Sequence, residues 1–141
     1  MKSCEPVGGF VNDQMAAVNF LFCHADDAKG VETGRRLAGS FGYLAAQLVS
    51  ARENYPGRGY ASFGLLPQLR RPPADPNQQA EQPPNLCIGD PERIAKMLRG
   101  WESTGVDCVN FLLNAHETVP QEQVLESLRL FGKEVMPRFK K

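Results

Sequence analysis

The sequence has no excess of charge of either sign: 16 Lys and Arg balance 16 Asp and Glu over 141 residues. Nucleic acids and anionic membranes are bound through clustered cations, and a balanced chain offers no such footprint. Long hydrophobic runs are also missing. Nothing approaches the ~20 consecutive apolar residues that a membrane span needs. The opening stretch MKSCEPVGGF holds one lysine but no long apolar segment behind it, unlike a secretory leader. Close cysteine pairs are absent too. Cys4, Cys23, Cys87 and Cys108 are widely and unevenly spaced, and no Cys-x-x-Cys occurs. That spacing is not the one that builds a structural zinc site, and no metal is expected. Cys23 and Cys108 sit in apolar runs and read as small buried hydrophobes. A reduced, cytoplasmic setting follows.

What is present describes one globular domain. The chain is 42% hydrophobic and 23% charged, and its length suffices to bury a core. Met15 to Cys23 (MAAVNFLFC) is a short apolar run that suits a strand buried on both faces. Asp26 or Asp27 can then cap a helix. The spacing of Leu37, Phe41, Leu44, Ala45 and Leu48 predicts that helix from about Ala28 to Arg52. Gly30, Gly34, Gly39 and Gly42 weaken it, each by up to ~1 kcal/mol relative to alanine.

Residues 55–86 differ in composition. Six of the 11 prolines lie between Pro67 and Pro84. This reads as an insertion loop, and a loop of that length in a small domain is a lid, a binding loop or a sign of a missing part. Order returns at Leu86-Cys-Ile-Gly89. Asp90-Pro-Glu92 is a helix start: an N-cap acceptor, a proline where an N–H would be unpaired anyway, and an acid that complements the dipole. Ile94, Met97, Leu98 and Trp101 fall on one face of that helix, and Gly105 stops it. Val106 to Leu113 (VDCVNFLL) predicts a second buried strand. Thr118-Val-Pro-Gln121 resembles a capping box. It leads into a helix with Val124, Leu125, Leu128, Phe131 and Val135 at helical spacing, which Met136-Pro137 ends. Strands alternating with helices imply an α/β fold with a parallel sheet covered on both faces.

The common catalytic signatures are missing. There is no G-x-G-x-x-G after a strand, no phosphate-binding G-x-x-x-x-G-K, no G-x-S-x-G and no H-E-x-x-H. His24 and His116 are the obvious acid–base groups. Each follows a predicted strand, and so lies at the strand C-terminal side, where α/β folds place their sites. Asn114 and Glu117 share the loop of His116. For all four, ordinary turn, cap and loop chemistry is the competing reading. Asn19 and Asn110 are polar residues within apolar strands, and each needs a hydrogen-bond partner or faces a ligand. Tyr55 and Tyr60 flank the basic turn Pro56-Gly-Arg58-Gly. With Arg70-Arg71, this turn reads either as an anion holder or as a solvated surface. Trp101 reads as core.

The C-terminal third carries a more definite pattern. It runs Ile88-Gly-Asp-Pro-Glu-Arg-Ile-Ala-Lys-Met-Leu98, Ser103-Thr-Gly-Val-Asp107, Asn110-Phe-Leu-Leu-Asn114, Val119-Pro120, and Leu125-Glu-Ser-Leu-Arg-Leu-Phe-Gly-Lys-Glu-Val-Met-Pro137. In order and spacing this series resembles the end of the luciferase-like, flavin-dependent monooxygenases. There a G-[ST]-P-E helix start leads to x-G-[VA]-D, the last barrel strand and a Pro-initiated helix ending near LFxxEVMP. Asp90 stands where the family has Ser or Thr, and all three cap helices. His116-Glu-Thr118 departs from the Gly-rich stretch found there. The resemblance implies part of a (β/α)8 TIM barrel, residues 1–141 being its C-terminal portion, with reduced FMN or the deazaflavin F420, O2 and a small organic substrate. It assigns Asn114 to cofactor contact and His116 to catalysis. A complete barrel takes about 250 residues, so a homodimer or a partner chain would complete it. A non-catalytic flavin-binding or interaction module on the same scaffold is the alternative.

Overall fold

The computed structural model describes residues 13–51, 86–114 and 117–139. The elements are β1 (Ala16–Cys23), α1 (Asp27–Ala51), β2 (Cys87–Gly89), α2 (Pro91–Ser103), β3 (Cys108–Leu112) and α3 (Gln121–Glu134), with a final 3-10 turn at Met136–Phe139. The Pro-rich stretch lies outside the described residues, as do Tyr55, Tyr60, Arg58 and Arg70-Arg71.

Helix boundaries follow local chemistry. Asp26 caps α1, its carboxylate accepting the Lys29 N–H at 3.1 Å. Asp90 caps α2 by accepting the Arg93 N–H at 2.7 Å, with Pro91 in the first turn. After Ser103 the chain turns through Gly105 at φ +88°, which a side chain would resist. The capping box expected at Thr118 does not form: α3 begins at Gln121 behind Pro120, without a side-chain cap.

The three strands form one open parallel sheet in the order β2-β1-β3. This is an α/β fold, but the order is not a consecutive arc of a barrel. In a (β/α)8 barrel each strand lies beside the next in sequence, whereas here β3 passes β2 and pairs with the far edge of β1. The central strand serves its neighbours with different halves. Ala16–Phe20 pair with Cys108–Leu112 of β3, and Leu21–Cys23 pair with Cys87–Gly89 of β2. At the lower end Asp107 fixes the register. Its carboxylate accepts the Met15 N–H at 2.8 Å, while its own N–H reaches the Met15 carbonyl at 2.9 Å.

Where a neighbouring strand is missing, a side chain takes its place. Asn19, buried in β1, accepts the N–H groups of Phe20 (2.8 Å) and Cys87 (3.2 Å) just below the start of β2. Beyond the end of β3, the Ser127 hydroxyl accepts the Cys23 N–H at 2.7 Å. Both serve buried donors that would otherwise lack a partner, which is costly.

The alternation of a strand sorts β1 onto two cores. Leu21 and Cys23, with Cys87, pack on Ile94 and Ala95 of α2 and on Val135 just past α3. Phe22 and Ile88 pack on Leu37 of α1 and on Val119. Gly30 and Gly34 let α1 lie directly on β2. A Cβ on Gly30 would sit 2.8 Å from the Gly89 backbone, and one on Gly34 would collide with the Ile88 side chain. The glycines that weaken the helix locally are therefore what allow it to dock.

Several expectations about burial change. Phe41 and Leu44, expected in the core, are exposed because α1 runs past the sheet; the Leu48 side chain is outside the described residues. Cys108 is exposed rather than buried. β3 is only half-covered, with Asn110 exposed, since α1 lies over β1 and β2. Trp101 is half-buried at the end of α2.

Candidate functional site

The order β2-β1-β3 creates a switch point. One connection leaves β1 for β2, the other carries the chain back past β1 to β3, and the connecting segments diverge above the C-terminal ends of β1 and β3. Open α/β sheets bind ligands in that crevice. Here β3 stops pairing at Leu112, opposite Phe20, and β1 continues alone on that side to Cys23. A cleft of about 630 Å³ opens there, floored by Phe22, Cys23 and His24 and walled by α1 and α3.

The walls are polar and of mixed sign. Lys29, Glu32, Thr33 and Arg36 come from one face of α1, and Gln123, Glu126 and Ser127 come from α3. Their spacings of three and four place them on successive turns. Ser127 is buried, and its oxygen accepts from Cys23, while its O–H has no acceptor among the described residues. That leaves one buried donor at the cleft wall. His24 sits at the rim. Its Nδ1 lies 2.9 Å from the Asp26 N–H and 3.1 Å from the Asp26 carbonyl oxygen, which fixes the ring over the start of α1.

The two buried thiols offer no nucleophile. Burial is the main cause that pushes Cys23 up to about 11, aided by the carboxylates of Asp90 and Glu134, and burial alone pushes Cys87 up to about 12. Both stay protonated near neutral pH, and the thiolate is the reactive form. Among the described residues no cluster of His, Cys, Asp and Glu could hold a metal ion. No helix among them is long and apolar enough to cross a membrane.

Of the residues singled out in the sequence, His24 reaches the cleft. Asn114 follows β3 and does local work: its Nδ2 donates to the Val119 carbonyl at 2.8 Å, and its Oδ1 accepts the Val119 N–H at 3.3 Å. It thereby pins the loop that leads into α3. Glu117 closes the same loop with φ +52°, its N–H reaching the Asn114 carbonyl at 3.2 Å. His116 lies outside the described residues. Lys29, Thr33, Arg36 and Ser127 are absent from the sequence-based candidates. The first three were legible only as a polar helical stripe, and Ser127 carried no signal at all.

No protein-family model matches the chain, and no curated protein matches it.

Proposed function

We propose that this chain holds a flavin, reduced FMN or the deazaflavin F420, in the cleft at the ends of β1 and β3. In this reading it is part of a luciferase-like oxidoreductase that acts with O2 on a small organic substrate. The observation that carries the ligand is the β2-β1-β3 order with a cleft of about 630 Å³ at its switch point. Doubly wound sheets of this order bind a mononucleotide at that place, and the volume lies within the ~300–1,000 Å³ of cofactor sites. The motif series from Ile88 to Pro137 supports the flavin class independently.

The lining residues suit such a ligand. Asp26 caps α1 and Asp27 lies in its first turn, so the dipole end that commonly takes phosphate is already acidic. The phosphate is therefore assigned to Lys29 and Arg36 on the helix flank. The Ser127 O–H meets an acceptor oxygen of the ligand, and the ribityl hydroxyls donate to Glu32 or Glu126. His24, on the rim, is the acid–base group of this reading. When bound, the reduced flavin supplies the electrons, and the protein positions and shields it.

Thermal unfolding with and without excess FMN and F420 tests this reading. A ligand that binds only the folded chain raises the midpoint. Lys29→Gln/Arg36→Gln should abolish most of that rise. A midpoint indifferent to both flavins sinks the proposal.

A second reading is a flavin-binding module without turnover, in which Asn114, its amide engaged at both ends by Val119, pins the loop before α3. A flavin-induced rise in midpoint without substrate-dependent oxidation of reduced flavin by O2 selects it.

A further inference from the structure

Val109 and Phe111 turn their backbone groups away from the sheet. Successive residues of a strand direct N–H and C=O to opposite edges. Cys108 donates its N–H to Met15, so Cys108, Asn110 and Leu112 bond toward β1, while Val109 and Phe111 face outward. Among the described residues those outward groups have no partner. Beside them, on one face, lies an apolar groove of about 580 Å³ formed by Leu98, Trp101, Phe131 and Met136. On the other face Asn110 is exposed and Val18 is 64% exposed. A free strand edge with apolar flanks is prone to pair with another strand.

We propose that this edge is an interface with a second copy of the chain. The two β3 strands run antiparallel about a two-fold axis through Asn110, which makes one continuous six-stranded sheet. Of the registers that set outward residue against outward residue, this one engages the free groups of Val109 and Phe111 with each other and needs no others. With the axis at Asn110, Val109 faces Phe111 of the partner subunit, and both present outward N–H and C=O groups. Each such pair exchanges two hydrogen bonds, and symmetry repeats the pair. Asn110 meets its own copy at a position without backbone hydrogen bonds, as its backbone is already committed to β1. A shift by one residue sets an outward residue against an inward one and forfeits the bonds. The edge is thus complementary to itself, as a two-fold interface requires. Val109 and Phe111 also pack across the strands on the groove side, a favourable cross-strand pairing. The balanced charge leaves no net repulsion between copies. This inference does not depend on the flavin reading.

Light scattering and directed cross-linking test it. The wild-type chain should show twice its 15.6 kDa mass. Non-hydrogen-bonded antiparallel residues have Cα atoms about 4.5 Å apart, within disulfide range. In a Cys108→Ser background, Asn110→Cys should cross-link two chains on mild oxidation, and the background alone should not. Val109→Pro removes an outward donor and spares the β1 ladder, a position where an edge strand tolerates proline. It should keep the circular dichroism of the wild type and become monomeric. A wild-type monomer at every concentration overturns the proposal, as does a Val109→Pro dimer. Should the proline variant fail to fold, Asn110→Cys decides alone: cross-linking no faster than its background overturns the proposal, whatever extended peptide or other chain then takes the edge.

Discussion

Asp27 and Arg93 join the first turns of α1 and α2 across 66 residues of sequence. The guanidinium places Nε 2.6 Å from one carboxylate oxygen and an Nη 2.7 Å from the other. The same carboxylate also accepts the N–H of Asp90, the cap of α2, at 3.1 Å. Two helix starts on opposite faces of the sheet are thereby tied over the end of β2, where Gly89 at φ +126° leaves room for both side chains.

The hydrogen bond from Arg93 is the main cause that holds the Asp27 carboxyl below its usual 3.8. A depressed carboxylate adds stability that is present above its unfolded value and lost as pH falls through the folded value. Both side chains are more than a third exposed, so solvent screens the pair. We expect Asp27→Asn to cost about 0.5–1 kcal/mol at neutral pH. That difference should shrink as pH falls below 3.8. Urea unfolding of both proteins across the acid range measures it, and a pH-independent difference contradicts the assignment.

Glycines of α1 should divide by location. Gly34→Ala forces a Cβ into Ile88 and should cost about 1–3 kcal/mol through overpacking. Gly39 has nothing within 4 Å of an added Cβ. Gly39→Ala should therefore stabilise by about 0.5–1 kcal/mol through helix propensity alone. Denaturant midpoints of the two variants should move in opposite directions. A shared direction would mean that α1 does not dock on β2 through this stripe.

Thiol reactivity should follow burial. In the native protein Cys108 should react with a thiol reagent, while Cys23 and Cys87 should react only on unfolding. The two buried thiols are held up at about 11 and about 12 against 9.0 when unfolded. A raised value contributes stability that is complete below the unfolded value. Stability should accordingly fall as pH rises above 9.0, as the unfolded chain begins to lose these protons. Labelling followed by mass spectrometry, with and without denaturant, reads the order directly. Fast native labelling of Cys23 or Cys87 contradicts it.

Much of the secondary structure could be read from sequence because its causes are local. Asp90-Pro91-Glu92 carries a cap, a preset φ and a favourable charge within three residues, and α2 begins there. The apolar run from Met15 predicts β1 to within a residue. β2 was seen only as a return of order at Leu86-Cys-Ile-Gly89. Three residues hold too little periodicity to separate a strand from a loop. Thr118 misled for a related reason: a capping sequence forms its cap only if the preceding loop delivers it, and here Asn114 pins Val119 instead.

The cysteines show the same division. Cys23 and Cys108 both lie in apolar runs, yet one is buried and the other exposed. Cys23 packs against α2 and the residue just past α3, whereas Cys108 opens β3 beyond that cover, and no local pattern records the difference. Ser127 and Asn19 likewise earn their places from gaps beside β1, and each gap exists only because its neighbouring strand stops short.

By itself, the sequence determined that this is an α/β chain with balanced charge, where α1 and α2 begin, and which residues alternate along its strands. Those properties arise between residues a few positions apart. Tertiary structure decided that β3 lies beyond β1 rather than beside β2. That choice opens the cleft between α1 and α3 and leaves an edge at Val109 and Phe111. Strand order is set by pairing and helix coverage between segments distant in the chain, whose energies depend on which faces meet and not on any one segment's pattern.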